Sequence, residues 1–214
     1  MLNPFRVIWR AFRQIWDDML ILVLMNLFTL VCTLVIIPGP AAWVALNAMC
    51  NRCANLNAIS WEKYFEVFKE NLWKAWKFAL PSLLIIALIV FNFFWYPTTF
   101  GDQQWVPLAQ GAWLSAAFFW VVVQLYVTPF YAQQEDKSWR TALRNTVIIA
   151  GTNPIYTAVV LLITLLLMAL CLFLFPPMLV FLGHVWWCMV GNTALVDRVQ
   201  AHLKRQETQS VTRK

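Results

Sequence analysis

Long stretches without a charged residue dominate the pattern of hydrophobic and polar positions. They cover residues 19–37, 78–101, 103–134 and 145–196. About 20 apolar residues in an α-helix cross a bilayer core of about 30 Å, and the last stretch is long enough to cross twice. The pattern therefore predicts membrane-spanning helices. Turns are expected at the prolines of residues 38–40, 97–107 and 176–177.

Three shorter segments carry apolar and charged residues on opposite helical faces. They cover about residues 4–18, 61–72 and 139–150. Such helices lie in the membrane interface, with their aromatic residues among the lipid headgroups. Ser60 is expected to cap the second helix, and Trp61, Tyr64 and Phe65 are expected to face the membrane.

The segment that follows the first turn decides how many times the chain crosses. Residues 41–50 reach only about 15 Å as a helix. Residues 41–60 would cross with Asn47, Asn51 and Asn55 on a polar stripe that faces other helices or a wet cavity. Counting this short or tilted crossing places all 16 Lys and Arg residues on one side, whereas omitting it separates three arginines from the rest. The positive-inside rule thus favours six crossings, with both termini in the cytoplasm.

The predicted fold is all-α: a polytopic membrane helix bundle of six transmembrane helices, with three cytoplasmic interfacial amphipathic helices. The bundle covers residues 1–196, and residues 197–214 form a basic cytoplasmic tail. A unit of amphipathic helix, outward span, turn and inward helix occurs three times, over about residues 4–58, 61–131 and 137–196. A threefold internal repeat and the alternation of any even-spanning protein explain this equally well.

Composition supports a membrane protein and excludes a soluble one, because 61% of the residues are hydrophobic and only 12% are charged. The net charge of +6 comes from basic clusters beside apolar stretches, which favours contact with anionic lipid in the bilayer over nucleic acid. The five cysteines are an odd number and scattered, so no disulfide framework is expected. Cys50 and Cys53 have CxxC spacing, but only His184 and His202 could complete a zinc site, and no metal or other cofactor is predicted.

Polar residues at membrane depth form a candidate polar cluster on the cytoplasmic side. Its members are Asn26, Asn51, Asn55, Gln124, His184 and Asn192. The cluster either lines a cavity or binds a partner, or it supplies interhelical hydrogen bonds of about 0.6 kcal/mol each, and we favour the second reading. His184 raises the hypothesis of a proton relay. The spans contain no Asp or Glu to pass a proton onward, so a packing histidine is the favoured interpretation.

No catalytic motif accompanies these features, and we expect that the protein is not an enzyme. The cytoplasmic amphipathic helices instead present basic side chains as a candidate contact surface. These are Arg10, Arg13, Lys69, Arg140 and Arg144.

Several short motifs resemble those of a known family. They are Asn26-Leu27, Gly39-Pro40-Ala41-Ala42, Phe65-Glu66-Val67-Phe68-Lys69-Glu70-Asn71, Tyr126-Val127-Thr128-Pro129 and Ala142-Leu143-Arg144-Asn145-Thr146. Over about residues 20–196 the chain resembles the YesL-like family of bacterial integral membrane proteins. Residues 50–57 are Asn-rich where the family resemblance leads us to expect a more basic connection. The family has no established activity, and its members are often encoded beside carbohydrate ABC importers.

The resemblance implies an accessory or regulatory role beside a carbohydrate ABC importer in the bacterial cytoplasmic membrane, with the importer permease subunits as partners. The alternative is a small independent transporter or channel, with the candidate polar cluster lining a cytoplasmic-side cavity. No sequence pattern predicts an oligomeric state.

Overall fold

The computed structural model describes residues 4–101 and 103–212, with side chains described through Ala201. These residues form nine α-helices and no strand. The helices are α1 (Pro4–Asp17), α2 (Met19–Leu34), α3 (Gly39–Ala54), α4 (Trp61–Asn71), α5 (Trp76–Phe100), α6 (Val106–Gln133), α7 (Trp139–Thr152), α8 (Pro154–Leu174) and α9 (Pro176–Thr212). Their order follows the three predicted units, in which a short helix precedes a hairpin of two longer ones.

The helix boundaries coincide with the helix-breaking and capping residues of the sequence. The α2–α3 turn precedes Gly39, Asn153 separates α7 from α8, and Phe175 separates α8 from α9. The Ser60 side chain accepts a hydrogen bond of 3.3 Å from the backbone N–H of Lys63, as predicted for an N-cap. Proline and capping residues therefore set these boundaries locally.

Four helices are long and apolar enough to cross a membrane: α5, α6, α8 and the part of α9 over Pro176–Ala201. A fifth is obtained only if α1 and α2, which are bent by 92° to each other, are counted together. The protein is a helical, multi-pass membrane protein, but the described residues do not support six spans. α2 and α3 have 16 residues each, which is about 24 Å of helix.

The α2–α3 hairpin ends beside the start of α5. The Trp76 indole donates a 2.9 Å hydrogen bond to the Ile37 carbonyl oxygen in the hairpin turn. Trp76 is the first residue of α5, which continues for 24 more residues. Each helix of the hairpin, at about 24 Å, is shorter than a bilayer core of about 30 Å, and this is the physical reason why the predicted count of six is too high.

Helix α3 lies at the centre of the molecule, where it contacts α2, α4, α6 and α9. Ala41, Ala42 and Ala45 are fully buried, and these small side chains let the surrounding helices approach closely. A second close contact joins α9 to α6, because a Cβ at Gly191 would overlap the carbonyl oxygen of Leu125. The core therefore combines short and long helices.

The amphipathic helices differ in what their apolar faces meet. On α1, Trp9 and Trp16 stay 68% and 67% exposed, as expected for an interfacial face. On α4, the Tyr64 side chain is fully buried instead, with its ring 5.8 Å from that of Phe28 in α2. The expectation that this face meets the membrane is wrong for Tyr64, whereas Trp61 and Phe65 pack around Phe28 and stay partly exposed.

The predicted basic tail continues α9 as a helix through Thr212. The side chains of Lys204 and Arg205 are not among those described, and Arg213 and Lys214 lie outside the described residues.

Candidate functional site

An asparagine network links α3 to α9. The Asn192 amide donates to the side-chain oxygen of Asn47 at 3.3 Å, and its oxygen accepts from the amide of Asn51 at 2.9 Å. Asn55 extends the network by donating to the backbone oxygen of Asn51 at 2.9 Å. Asn47 in turn donates to the Cys188 sulfur at 3.0 Å. Three members of the candidate polar cluster therefore meet here.

The buried amide groups of the asparagine network find their hydrogen-bond partners within the network and on α9. Asn47 and Asn192 are buried, and the Asn192 amide also donates to the Cys188 carbonyl oxygen at 2.8 Å. Such an arrangement fixes the register of two helices and leaves no inward-facing amide free for a ligand. The geometry matches the favoured interpretation, interhelical hydrogen bonding.

Asn26 lies apart from this network. Its buried amide donates to the carbonyl oxygens of Val180 and Phe181 at 2.7 and 2.9 Å. It thus holds α2 against the first turns of α9.

Gln124 and His184 occupy a third place. The Gln124 amide donates to the hydroxyl of Ser82, and the His184 ring meets that of Trp43 edge-on at 5.2 Å. Both line one groove of about 330 Å³ between α3, α5, α6 and α9, and most of its wall is apolar. The six predicted residues therefore form three separate groups rather than one cluster.

A polar cleft of about 230 Å³ opens between α3, α4 and the end of α6. Asn51 joins it to the asparagine network, and Asn71 and Tyr131 close its base, where the Tyr131 hydroxyl donates to Asn71 at 2.9 Å. Its charged lining residues are Arg52, Lys63, Glu66, Glu70 and Lys137. We call this site the polar cleft.

The charges of the polar cleft are partly paired. Lys63 and Glu66 form an exposed ion pair at 3.0 Å, and Glu70 pairs with Lys74 at 3.1 Å. Lys137 donates to the carbonyl oxygens of Tyr131 and Ala132 at the end of α6. Partial desolvation lowers the pKa of Lys137, and nearby Glu70 opposes that change.

Four residues of the predicted contact surface are exposed, and the fifth, Arg10, forms a structural hydrogen bond. Arg13, Lys69, Arg140 and Arg144 are exposed. Arg10 instead donates to the carbonyl oxygen of Ala54 at 3.0 Å, which satisfies the C-terminal end of α3. Trp139 donates to the Lys74 carbonyl oxygen at 3.0 Å, so Arg140 follows a residue that is anchored next to α4.

Comparison with known protein families finds a match for part of the chain. Residues 19–93 match the model of a family described as a protein of unknown function, DUF624. This segment carries α2, α3, α4 and most of α5, and thus much of the polar cleft. The match is consistent with the resemblance to the YesL-like family. Neither the curated proteins nor the solved structures contain a match.

The cysteine pair of the CxxC spacing is buried in the core of the protein. The Cys53 thiol lies 3.5 Å from a carboxylate oxygen of Asp18, and burial raises its pKa. Among the described residues, no three His, Cys, Asp or Glu side chains are close enough to hold a metal ion.

Several residues of these sites were not members of the candidate polar cluster. Asn47 was predicted as part of the polar stripe with Asn51 and Asn55, because the three follow one another at helical spacing. Asn71, Tyr131 and Lys137 carried no such signal, since they come together only because α4 and α6 both pack against α3.

Proposed function

We propose that this protein is a non-enzymatic component of the bacterial cytoplasmic membrane, related to the YesL-like proteins, that assists or regulates a carbohydrate ABC importer. Its polar cleft receives a charged segment of an importer permease. The observation that carries this proposal is the polar cleft itself, which combines exposed charges of both signs with amides.

The distribution of charge supports an orientation with the polar cleft and both termini in the cytoplasm. With α5, α6, α8 and α9 as spans, all 16 Lys and Arg residues fall on one side. Leaving out both α2 and α3 removes two crossings, so the number of crossings stays even and the basic residues stay on one side. The positive-inside rule is therefore satisfied without six crossings. In this topology the α2–α3 hairpin does not cross the bilayer, and its turn is bonded to the cytoplasmic end of α5.

The chemistry of the polar cleft favours a polar partner segment. Lys63 and Glu66 are more than half exposed, so their ion pair is worth little to folding and both groups stay available for exchange with partner charges. Complementary charges at an interface direct orientation and suppress wrong partners. These exposed charges therefore fit a role in partner docking better than a role in stabilising the fold.

Deletion of the gene, followed by complementation, tests this function. The deletion should lower uptake of the sugar and assembly of the importer, and the wild-type chain should restore both. A variant with Lys63→Glu and Glu66→Lys keeps the net charge and the spacing of the ion pair but reverses its direction, and should not restore uptake. Lys77→Glu, which alters an exposed lysine that does not line the polar cleft, should restore it. Unchanged uptake after deletion would refute the proposal.

An independent transporter is the second candidate. The shared groove of Gln124 and His184 favours it, because an amide and an imidazole face one space. Proteoliposomes containing the protein should then carry a solute across, and Gln124→Leu should reduce that flux. Absence of flux for all candidate solutes would rule out this function.

A further inference from the structure

Arg198 is a buried cation at the end of the last candidate span. Only 7% of its surface is exposed, and its guanidinium carbon lies 3.1 Å from the centre of the Tyr156 ring. Nη1 donates to the side-chain oxygen of Asn153 at 2.9 Å, whereas Nε and Nη2 are buried and have no acceptor. A buried charge with unpaired donors is costly unless an anion or another acceptor binds to it.

The nearest described carboxylate does not neutralise this charge. Asp197 accepts a 3.3 Å hydrogen bond from the Tyr156 hydroxyl. Among the described side chains, Arg198 forms no ion pair with Asp197 or with any other carboxylate. The positive charge therefore rests against an aromatic ring and one amide oxygen.

Two further donors without partners lie close by. The hydroxyl groups of Tyr126 and Thr157 are both buried and both lack a hydrogen-bond partner. The Tyr126 hydroxyl neighbours that of Thr157, and the charges of both Arg198 and Asp197 act on it. Helices α6, α8 and α9 thus each bring an unsatisfied donor to the same region.

The N-terminus of α8 adds backbone donors. Asn153 is its N-cap residue, but the side chain makes no capping hydrogen bond, and its oxygen binds Arg198 instead. Pro154 has no N–H, so the amides of Ile155 and Tyr156 are the free donors of the first turn. The helix dipole adds positive potential at this point. Gly151, Thr152 and Pro154 are exposed, so the α7–α8 break beside Asn153 is open to solvent, whereas the side-chain donor atoms of the site are buried.

We infer that Arg198, Tyr126, Thr157 and the first turn of α8 bind a phosphate group. These donors are those that phosphate oxygens accept, and the guanidinium supplies the matching charge. The phosphate is that of an anionic lipid headgroup or free inorganic phosphate. This inference does not depend on the proposed role beside an importer.

The test uses the full chain in neutral detergent without phosphate, with thermal unfolding followed by tryptophan fluorescence. Inorganic phosphate is compared with chloride at equal ionic strength, and dioctanoyl phosphatidylglycerol with dioctanoylglycerol. We expect at least one phosphate compound to raise the unfolding temperature in a saturable way. A rise with the lipid alone assigns the site to a headgroup, and a rise with the ion alone assigns it to free phosphate.

Variants separate binding from folding. Arg198→Gln should weaken binding roughly 10- to 100-fold, because it removes a charge-assisted contact. Tyr126→Phe removes a hydroxyl that has no partner in the free protein, so it should leave the unfolding temperature of the free protein unchanged or higher while it weakens binding. Arg140→Gln, at an exposed arginine of α7, should bind like the wild type. The inference is overturned if neither compound raises the unfolding temperature, or if Tyr126→Phe binds as tightly as the wild type.

Discussion

Single residues fix the contacts between the helices of the core. Gly191 lets α9 lie directly against the Leu125 carbonyl group of α6, and Asn192, its neighbour in sequence, joins the network with α3. Adjacent positions on α9 thus secure two different helices. In the membrane, where helices gain little from hydrophobic burial against one another, close packing and hydrogen bonds of this kind decide which faces meet.

Gly191→Ala should destabilise the protein, because the added methyl group overlaps a backbone oxygen that cannot rotate away. Overpacking of this kind costs about 1–3 kcal/mol, which corresponds to a fall of several degrees in the unfolding temperature. Gly111→Ala is the matched control, since a Cβ there meets nothing within 4 Å. Thermal unfolding in detergent should show a loss for the first variant only. Equal stability of the two variants would contradict the close contact.

Asn192→Leu should also destabilise the protein, because it leaves the Asn47 oxygen and the Asn51 amide without their partner. Leaving buried polar groups unpaired costs about 1–3 kcal/mol. Asn55→Ala removes an exposed member of the same network and should change the unfolding temperature little. Thermal unfolding in detergent checks this prediction. It is contradicted if Asn192→Leu lowers the unfolding temperature less than Asn55→Ala does.

At the scale of elements, the sequence predicted where helices begin and end better than what they touch. Ser60, the Pro-Gly-Pro turn and the Asn153 break act through the local backbone, so the sequence reveals them. An apolar helical face has the same pattern whether lipid or protein covers it, and this is why the packing of Tyr64 against Phe28 was missed. The division of the polar cluster into three groups was likewise hidden, because depth along a helix does not specify its neighbours.

The α2–α3 hairpin gives a prediction that separates four spans from six. In spheroplasts, a membrane-impermeant maleimide should label Gln103→Cys, which lies in the turn between α5 and α6. It should leave Ile37→Cys unlabelled, because the turn of the hairpin lies beside the start of α5. The parent chain with its native cysteines provides the background. Labelling of Ile37→Cys from outside would restore the six-span topology.

At the scale of the whole molecule, the long apolar hairpins and the charged residues occupy different parts of the chain. Helices α5 and α8 bury few of their residues within the protein, so lipid or a partner must cover them. The polar cleft lies instead among α3, α4 and the end of α6, at the basic side of the bundle. This division places membrane anchoring and partner recognition in separate elements, and it is the basis of the proposed accessory role.

Affinity purification of the tagged protein from its native membrane in gentle detergent, after growth on plant polysaccharide, tests the central claim most directly. Mass spectrometry should find importer permeases in stoichiometric amounts with the wild-type chain. The Lys63→Glu, Glu66→Lys variant should lower their recovery by about tenfold or more, with an unchanged unfolding temperature. Recovery of the protein alone as a stable oligomer, or equal recovery of permeases with the variant, would contradict docking at the polar cleft.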